Sequence, residues 1–195
     1  MNMILKIPKE IRSDTVYLKP LTISDAKQHY LNWLADHEVN RFLDSRFKDH
    51  SIEDLQKYIR NFDQKNRFLF GVFVNTSHCH IGNFTLDISP HNVAYFGYLI
   101  GEKNYWGTSA ATEAICLILD FAFKVMKVRK VWGGISKNNL PAIFNIHRFG
   151  FKREGVLRDH YTDHGEMTDT LQYGLLKDEW VISQERFKKI KRVIK

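Results

Sequence analysis

The sequence predicts a mixed α+β domain built on one twisted, mostly antiparallel sheet of about seven strands, with helices on its flanks. Three observations carry that prediction. The middle third holds three β-like runs, 67–75, 80–88 and 94–100, separated only by the polar turns 75–79 and 89–92, which is hairpin spacing. From 110 to 125 the chain is apolar, free of Gly and Pro, and rich in helix formers. That helix lies between the strand at 94–100 and another at 128–136, so the sheet contains one parallel crossover.

The remaining elements follow in order. Residues 15–21 form a short opening strand, and Thr22 to Asp25 supply cap chemistry for a helix over 25–34. Ser51 caps a second helix to about Phe62, with Ile52, Leu55, Tyr58 and Ile59 on one face. Asn139 and Pro141 start a helix that Gly150 ends. Residues 156–162 and 167–176 make a hairpin across Asp163 to Gly165, and a basic helix occupies 178–195. With 195 residues, 44% of them hydrophobic, the chain suits a single domain over 1–195 with a real core.

Composition narrows the function classes. No apolar run reaches the roughly 18 residues of a membrane span. Met1 to Glu10 is too short and too polar for a secretory signal, and the two cysteines, Cys79 and Cys116, have unlike surroundings, so a reduced, cytoplasmic protein is expected. The net charge of +7 owes much to the tail from Arg186, read here as a solvated helix. No nucleic-acid-binding motif accompanies it, so no specific nucleic-acid partner is expected. His78, Cys79 and His80 stand in a row on a turn and cannot easily converge on one ion, so no metal is expected.

The chemistry is expected where the strand at 94–100 gives way to the long helix. Small residues there let a ligand approach the backbone, and a helix N-terminus offers unpartnered N–H groups and a favourable dipole, a setting for phosphate. The spacing matches neither a dinucleotide fingerprint nor a P-loop.

Tyr105-Trp-Gly-Thr-Ser-Ala-Ala-Thr-Glu-Ala114 resembles the Trp-Gly-Lys-Gly-Tyr-Ala-Thr-Glu-Ala signature of the RimJ/RimL-like branch of the GNAT superfamily of N-acetyltransferases. Segments at 32–43, 80–101, 138–155 and 165–176 resemble further family patterns in the family's order, so the resemblance covers about 15–180. It implies the GNAT fold and acetyl transfer from acetyl-CoA to a primary amine. By resemblance the pyrophosphate lies on Trp106, Gly107, Thr108, Ser109, Ala110, Ala111 and Thr112, and the CoA arm on Asn139, Ala142, Asn145 and Arg148. A backbone N–H among Leu99, Ile100 and Gly101 would hold the thioester oxygen. Ser109 replaces the family's second glycine, which is strained if that position needs φ > 0.

The usual proton donors are missing. Ile146 stands where many relatives have Tyr, and Ala142 where the ribosomal-protein branch has Ser. Tyr105 and Asn145 are the substitutes, with departure of the free thiolate as the alternative, and Asp87 at the end of its strand is the candidate base, acting through water. Trp33, Arg41, Phe42 and Asn83 are the candidate acceptor contacts. The resemblance points first to a small amine acceptor, a nucleotide-linked amino sugar, then to a protein N-terminus. A degenerate CoA-binding sensor and a basic nucleic-acid binder are the competing classes. Relatives are often homodimers, a state one sequence leaves open.

Overall fold

The computed structural model describes residues 7–194. Most of the stretch read as lacking a secretory signal therefore lies outside the described residues. Nine strands form one sheet in the order β7-β8-β6-β5-β4-β3-β2-β1-β9. They are β1 (Ile11–Arg12), β2 (Val16–Pro20), β3 (Arg67–Val74), β4 (His80–Ile88), β5 (Val93–Ile100), β6 (Lys130–Ser136), β7 (Lys152–Asp163), β8 (Glu166–Leu176) and β9 (Val193–Ile194). The pairings are antiparallel except β5 with β6. The helices are α1 (Gln28–Ala35), α2 (His37–Asn40), α3 (Ile52–Arg60), α4 (Ser109–Asp120), α5 (Leu140–Arg148) and α6 (Lys177–Ser183).

In the central strands β3 and β4 apolar side chains point to both faces and both are buried, whereas β7 at the edge is largely exposed. On one face Phe84, Leu86, Ala94 and Phe96 pack with α4, whose residues from Ala114 to Leu119 are fully buried. Glu113 on that helix is also buried, because Ser13 Oγ, Thr15 N and Thr15 Oγ1 all donate to its carboxylate at 2.8–2.9 Å. On the other face Tyr17, Leu69 and Phe73 pack with Tyr30, Trp33, Leu34, Leu55 and Ile59 of α1 and α3.

Two expectations are corrected. The sheet has nine strands, not about seven, because the two-residue strands β1 and β9 extend its edge. The tail is not one solvated helix over 178–195: α6 ends at Ser183, a short 3₁₀ turn follows at Gln184–Phe187, and β9 pairs with β1. Apolar packing drives this return, since Phe187 is buried and stacks on Phe149 at 4.8 Å between centroids. Arg192 then meets the buried carboxylate of Asp120 at 2.8 Å, so part of the tail's charge is structural.

Candidate active site

The sheet opens at its parallel pair. β5 and β6 are in register only where Val93, Ala94 and Tyr95 face Lys130, Val131 and Trp132. Beyond that the strands part, with Gly133 at the fork; a methyl group there would lie 2.7 Å from the Phe96 carbonyl oxygen. Gly101 N–H donates to Ile81 O at 2.9 Å, so odd-numbered positions at the end of β5 turn their main chain toward β4. The amides of Tyr98 and Ile100 therefore face the opening. Among Leu99, Ile100 and Gly101, only Ile100 presents an N–H there; its carbonyl already accepts from Trp106 Nε1 at 2.8 Å.

The chain then passes through a 3₁₀ turn at Lys103–Tyr105 into the start of α4. Thr108 caps that helix, its hydroxyl accepting from Ala110 N–H at 3.3 Å and donating to Tyr105 O at 2.8 Å. Gly107 holds φ at +71°, and a Cβ there would meet nothing within 4 Å. The glycine is thus required by backbone conformation, and the space over it is open. Ser109 is the first residue of α4 and is absent from the positive-φ positions, so it bears no strain of the kind a family glycine would relieve. Among the described residues, the N–H groups of Gly107 and Ser109 meet no protein acceptor. With the helix dipole behind them, these exposed amides suit a diphosphate. Ala111 and Thr112 continue the first turn, and Arg148 at the end of α5 reaches Thr112 Oγ1 at 3.4 Å, placing a cation beside it.

α5 runs along the same face. Asn139 spends its side-chain oxygen on Ala142 N–H at 3.2 Å, so it serves as the helix cap. Ala142 and Asn145 are half-buried, whereas Ile146 is buried in the core. Tyr105 is half-buried against the main core. Asp87 lies elsewhere: it pairs in register with Tyr95, at the closed end of the fork, while Asn83 pairs with Leu99. Four residues of strand, roughly 13 Å, separate Asp87 from the open end. Its nearest cation is Arg67, at 3.5 Å.

The segment from α1 to residue 47 spans the mouth of the opening. On the β5 side, Trp33 lies against Gly101 so closely that a methyl group there would fall 2.0 Å from Trp33 Cδ2. Trp33 Nε1 donates to Glu102 Oε1 at 2.9 Å, and Lys103 pairs with Asp36 and Glu38. On the β6 side, Arg41 forms a fork on Asp163, with Nε and Nη2 at 3.2 and 3.0 Å. Asn138, just past β6, donates to the same carboxylate at 2.8 Å. Together they hold the Asp163 carboxyl below its ordinary range, with Arg41 the main cause. Phe42 lies under the Arg41 guanidinium, 4.9 Å from ring centroid to Cζ.

Between these elements is a cavity of about 470 Å³ lined by His37, Arg41, Arg46, Phe47, Asp163 and His164 among others. Among the described residues Arg46 pairs with no carboxylate: it bonds the neutral oxygens of Leu43, Tyr161 and Thr162, and its Cζ lies 4.1 and 4.6 Å from the ring centroids of Phe47 and Tyr161. Of the predicted acceptor residues, the structure brings Arg41 to this cavity and leaves Phe42 beside it. Trp33 stands at the mouth, on the β5 side. Asn83 is buried beneath α1, where its Oδ1 accepts from His80 Nε2 at 2.8 Å.

His80 also bonds Gly82 O through Nε2 at 3.0 Å, and its Nδ1 faces His29 Nε2 at 3.0 Å. Two acceptors on Nε2 fix the proton there, so Nδ1 accepts from His29. Burial drives the His80 pKa down from 6.5 to about 4, keeping the ring neutral. His78 bonds Tyr17 at 3.1 Å and Cys79 is exposed, so the His-Cys-His run diverges. Sequence reasoning missed Arg46, Asp163, His164 and the His29–His80 pair. His29 comes from a segment read as a helix, Asp163 and His164 from one read as a turn and His80 from one read as a strand, while Arg46 lies between the two helices in a stretch given no element; none carries a local motif.

Residues 15–152 match the family model described as an acetyltransferase (GNAT) domain. The chain is 27% identical over 175 residues to "Uncharacterized N-acetyltransferase p20" of Bacillus licheniformis, across 86% of this chain and 96% of that protein. It superposes on Mycobacterium smegmatis RimJ in complex with CoA-disulfide with a TM-score of 0.77 at 16% identity, covering 96% of this chain and 97% of that one. Spermidine N-acetyltransferase from Vibrio cholerae, in complex with CoA and spermine, gives 0.75 at 20% identity, over 85% and 98%. With the domain model spanning most of its length and an N-acetyltransferase relative matching nearly end to end, the chain belongs to the GNAT acetyltransferase family.

Proposed function

We propose that this N-acetyltransferase uses acetyl-CoA to acetylate the primary amine of a small molecule that also carries a phosphate or carboxylate, a nucleotide-linked amino sugar being the class that best meets the cavity. The observation that carries the reading is the unpaired guanidinium of Arg46 in a cavity that also presents Arg41, His37, His164 and the exposed ring of Phe47. An anion answers that charge and a flat ring or sugar answers Phe47. A polyamine such as spermidine brings only positive charge, which Arg46 repels, while the Asp163 carboxylate of the same lining is already paired with Arg41.

In this reading the diphosphate of the donor rests on the Gly107 and Ser109 amides, with Arg148 nearby. Its pantetheine arm enters the gap between β5 and β6, along Asn139, Ala142 and Asn145. The Ile100 N–H donates to the thioester oxygen as charge develops on it. The attacking amine comes from the cavity at the mouth. The Asp163 carboxylate at that cavity is already taken up by Arg41 and Asn138, so in this reading the amine loses its proton to water. Tyr105 serves the cradle through its carbonyl rather than the reaction through its hydroxyl.

The test is an acceptor screen with acetyl-CoA, read by mass for the gain of one acetyl group. Nucleotide-linked amino sugars, phosphorylated amino sugars, polyamines and peptides with free N-termini form its arms. Acetylation of the anionic amines ahead of the rest is the expected result. Preferential acetylation of polyamines or peptides would overturn the acceptor assignment. Tight acetyl-CoA binding with no acetylated amine would replace the enzyme reading by a sensor.

A further inference from the structure

The last rung that joins β5 to β6 is a pair of rings. Tyr95 and Trp132 are the final residues in register before the strands part, and partners in a ladder project to the same face. Their chain neighbours Ala94, Phe96 and Val131 belong to the core under α4, so the two rings stand on the opposite face, that of α1 and α3. The apolar cluster on that face draws on β2, β3 and Leu99, and among the described residues it takes none from β6 or β8. The rings of Tyr95 and Trp132 are therefore left 40% and 37% exposed. They meet edge to face, 5.2 Å between centroids and 71° between planes, and form an open corner. Two residues on toward the fork, the same face carries half-buried Gly97 and exposed Gly134, which put no side chain between the corner and the opening. On the neighbouring strand Asp87 pairs in register with Tyr95. Its side chain is 38% exposed, with Arg67 at 3.5 Å, and among the described residues no hydrogen bond reaches its Oδ1.

We propose that the Tyr95–Trp132 corner is the subsite for the amine-bearing ring of the acceptor, that this ring is a pyranose, and that Asp87 accepts a hydrogen bond from one of its hydroxyls. The inference rests on the acetyl transfer read above, with the thioester at Ile100, and not on the anion site at Arg46. Length fits the assignment. From Tyr95 to Ile100 the strand runs roughly 16 Å. A hydrogen bond of about 3 Å at the amide, the carbonyl bond, an attack distance of about 3 Å and a ring contact of about 4 Å leave about 5 Å, room for a single six-membered ring. Chemistry selects which ring. A pyranose turns C–H groups toward the negative faces of the aromatic pair. Its hydroxyls need acceptors, and the carboxylate beside Tyr95 supplies one with charge-assisted strength. A purely aromatic ring would use the corner and leave Asp87 idle, and a flexible polyamine would gain little from the flat rings.

The test gives wild type a nucleotide-linked amino sugar, its analogues lacking one ring hydroxyl at a time, and an arylalkylamine. Trp132→Ala should raise KM for the amino sugar about tenfold, with KM for acetyl-CoA within twofold, and Trp132→Phe, which keeps a flat face, should stay within threefold of wild type. If Trp132→Ala does not fold, Trp132→Leu takes its place, with bulk but no flat face and the same tenfold rise expected. Wild type should favour the intact sugar over one of the deoxy analogues about tenfold in kcat/KM, and Asp87→Ala should accept those two alike. A packing role for Asp87 would not erase that discrimination. An unchanged KM for the amino sugar without the Trp132 ring, discrimination that survives Asp87→Ala, or an arylalkylamine preferred to every sugar would overturn the proposal. If wild type prefers polyamines or peptides, or acetylates no amine, the acceptor reading falls before any variant is made and this inference with it. If it acetylates an amino sugar and the variants leave KM untouched, only the subsite falls.

Discussion

Gly107→Val tests the diphosphate cradle at its centre. The backbone there has φ +71°, which an L-residue adopts at a cost of about 1–2 kcal/mol, and a β-branched one suffers most. Nothing of the protein lies within 4 Å of the added Cβ, so no clash compounds that cost. For a chain of 195 residues the loss is a fall in Tm of roughly 2–8 °C, with the fold retained. Gly165→Val is the matched control: φ is +84°, the space around it is equally open, and it sits in the β7–β8 turn away from the cradle. Ligand at 100 times its Kd stabilises wild type by about 2.7 kcal/mol, roughly 5–11 °C in a thermal-shift assay. The control should keep that shift whole. Gly107→Val should lose it, because its side chain fills the space where a phosphate would meet the amides. Two variants with the same fall in Tm and the same acetyl-CoA shift would refute the cradle.

Three further outcomes follow from the geometry. Gly101→Ala drives a methyl group into the buried Trp33 ring, so it should cost about 1–3 kcal/mol in urea unfolding, and an unchanged midpoint would mean the ring does not rest there. His80 titrates near 6.5 when unfolded and near 4 when folded, so between those values the unfolded chain binds more protons. Stability should therefore be complete above about pH 6.5 and decline by roughly 3 kcal/mol as pH falls toward 4, a slope that His80→Gln should flatten in pH-dependent denaturation. Arg46→Ala should raise KM for an anionic acceptor at least tenfold while leaving KM for acetyl-CoA unchanged; equal KM values for the acceptor would remove Arg46 from that site.

What the sequence disclosed divides along physical lines. β3, β4 and β5 were legible because eight or nine residues of alternation between turns leave one reading, and α4 because its apolar run is too long for a strand. β1 and β9 have two residues each, too few for any period, and their pairing is a tertiary event. The basic residues of the tail masked Phe187, while the partner of Arg192 lies on α4. The loop at 106–109 was placed, but not which residue of it takes positive φ; only the path of the backbone shows that Gly107 does and Ser109 does not. Asp87 looked available because it ends a strand near the right motif. Register shows that it ends the strand on the wrong side of the fork.

The mouth of the opening shows which contacts set the distance between donor and acceptor. Lys103 with Asp36 and Glu38 is the most visible bridge, yet all three side chains are substantially exposed, and such pairs contribute about 0–1 kcal/mol each. The buried contacts are stiffer. Trp33 is 4% exposed and seated against a glycine that admits no methyl group, and the Asp163 side chain is 5% exposed with three donors from Arg41 and Asn138. Moving either costs a packed ring or a desolvated carboxylate, each several times the worth of a surface pair. Trp33 fixes the segment to the end of β5, four residues before Tyr105 begins the turn into α4, and Arg41 fixes it to the β7–β8 turn. In the proposed reading, residues 33–41 thus tie the end of β5, where the thioester would lie, to the wall of the acceptor cavity at Asp163.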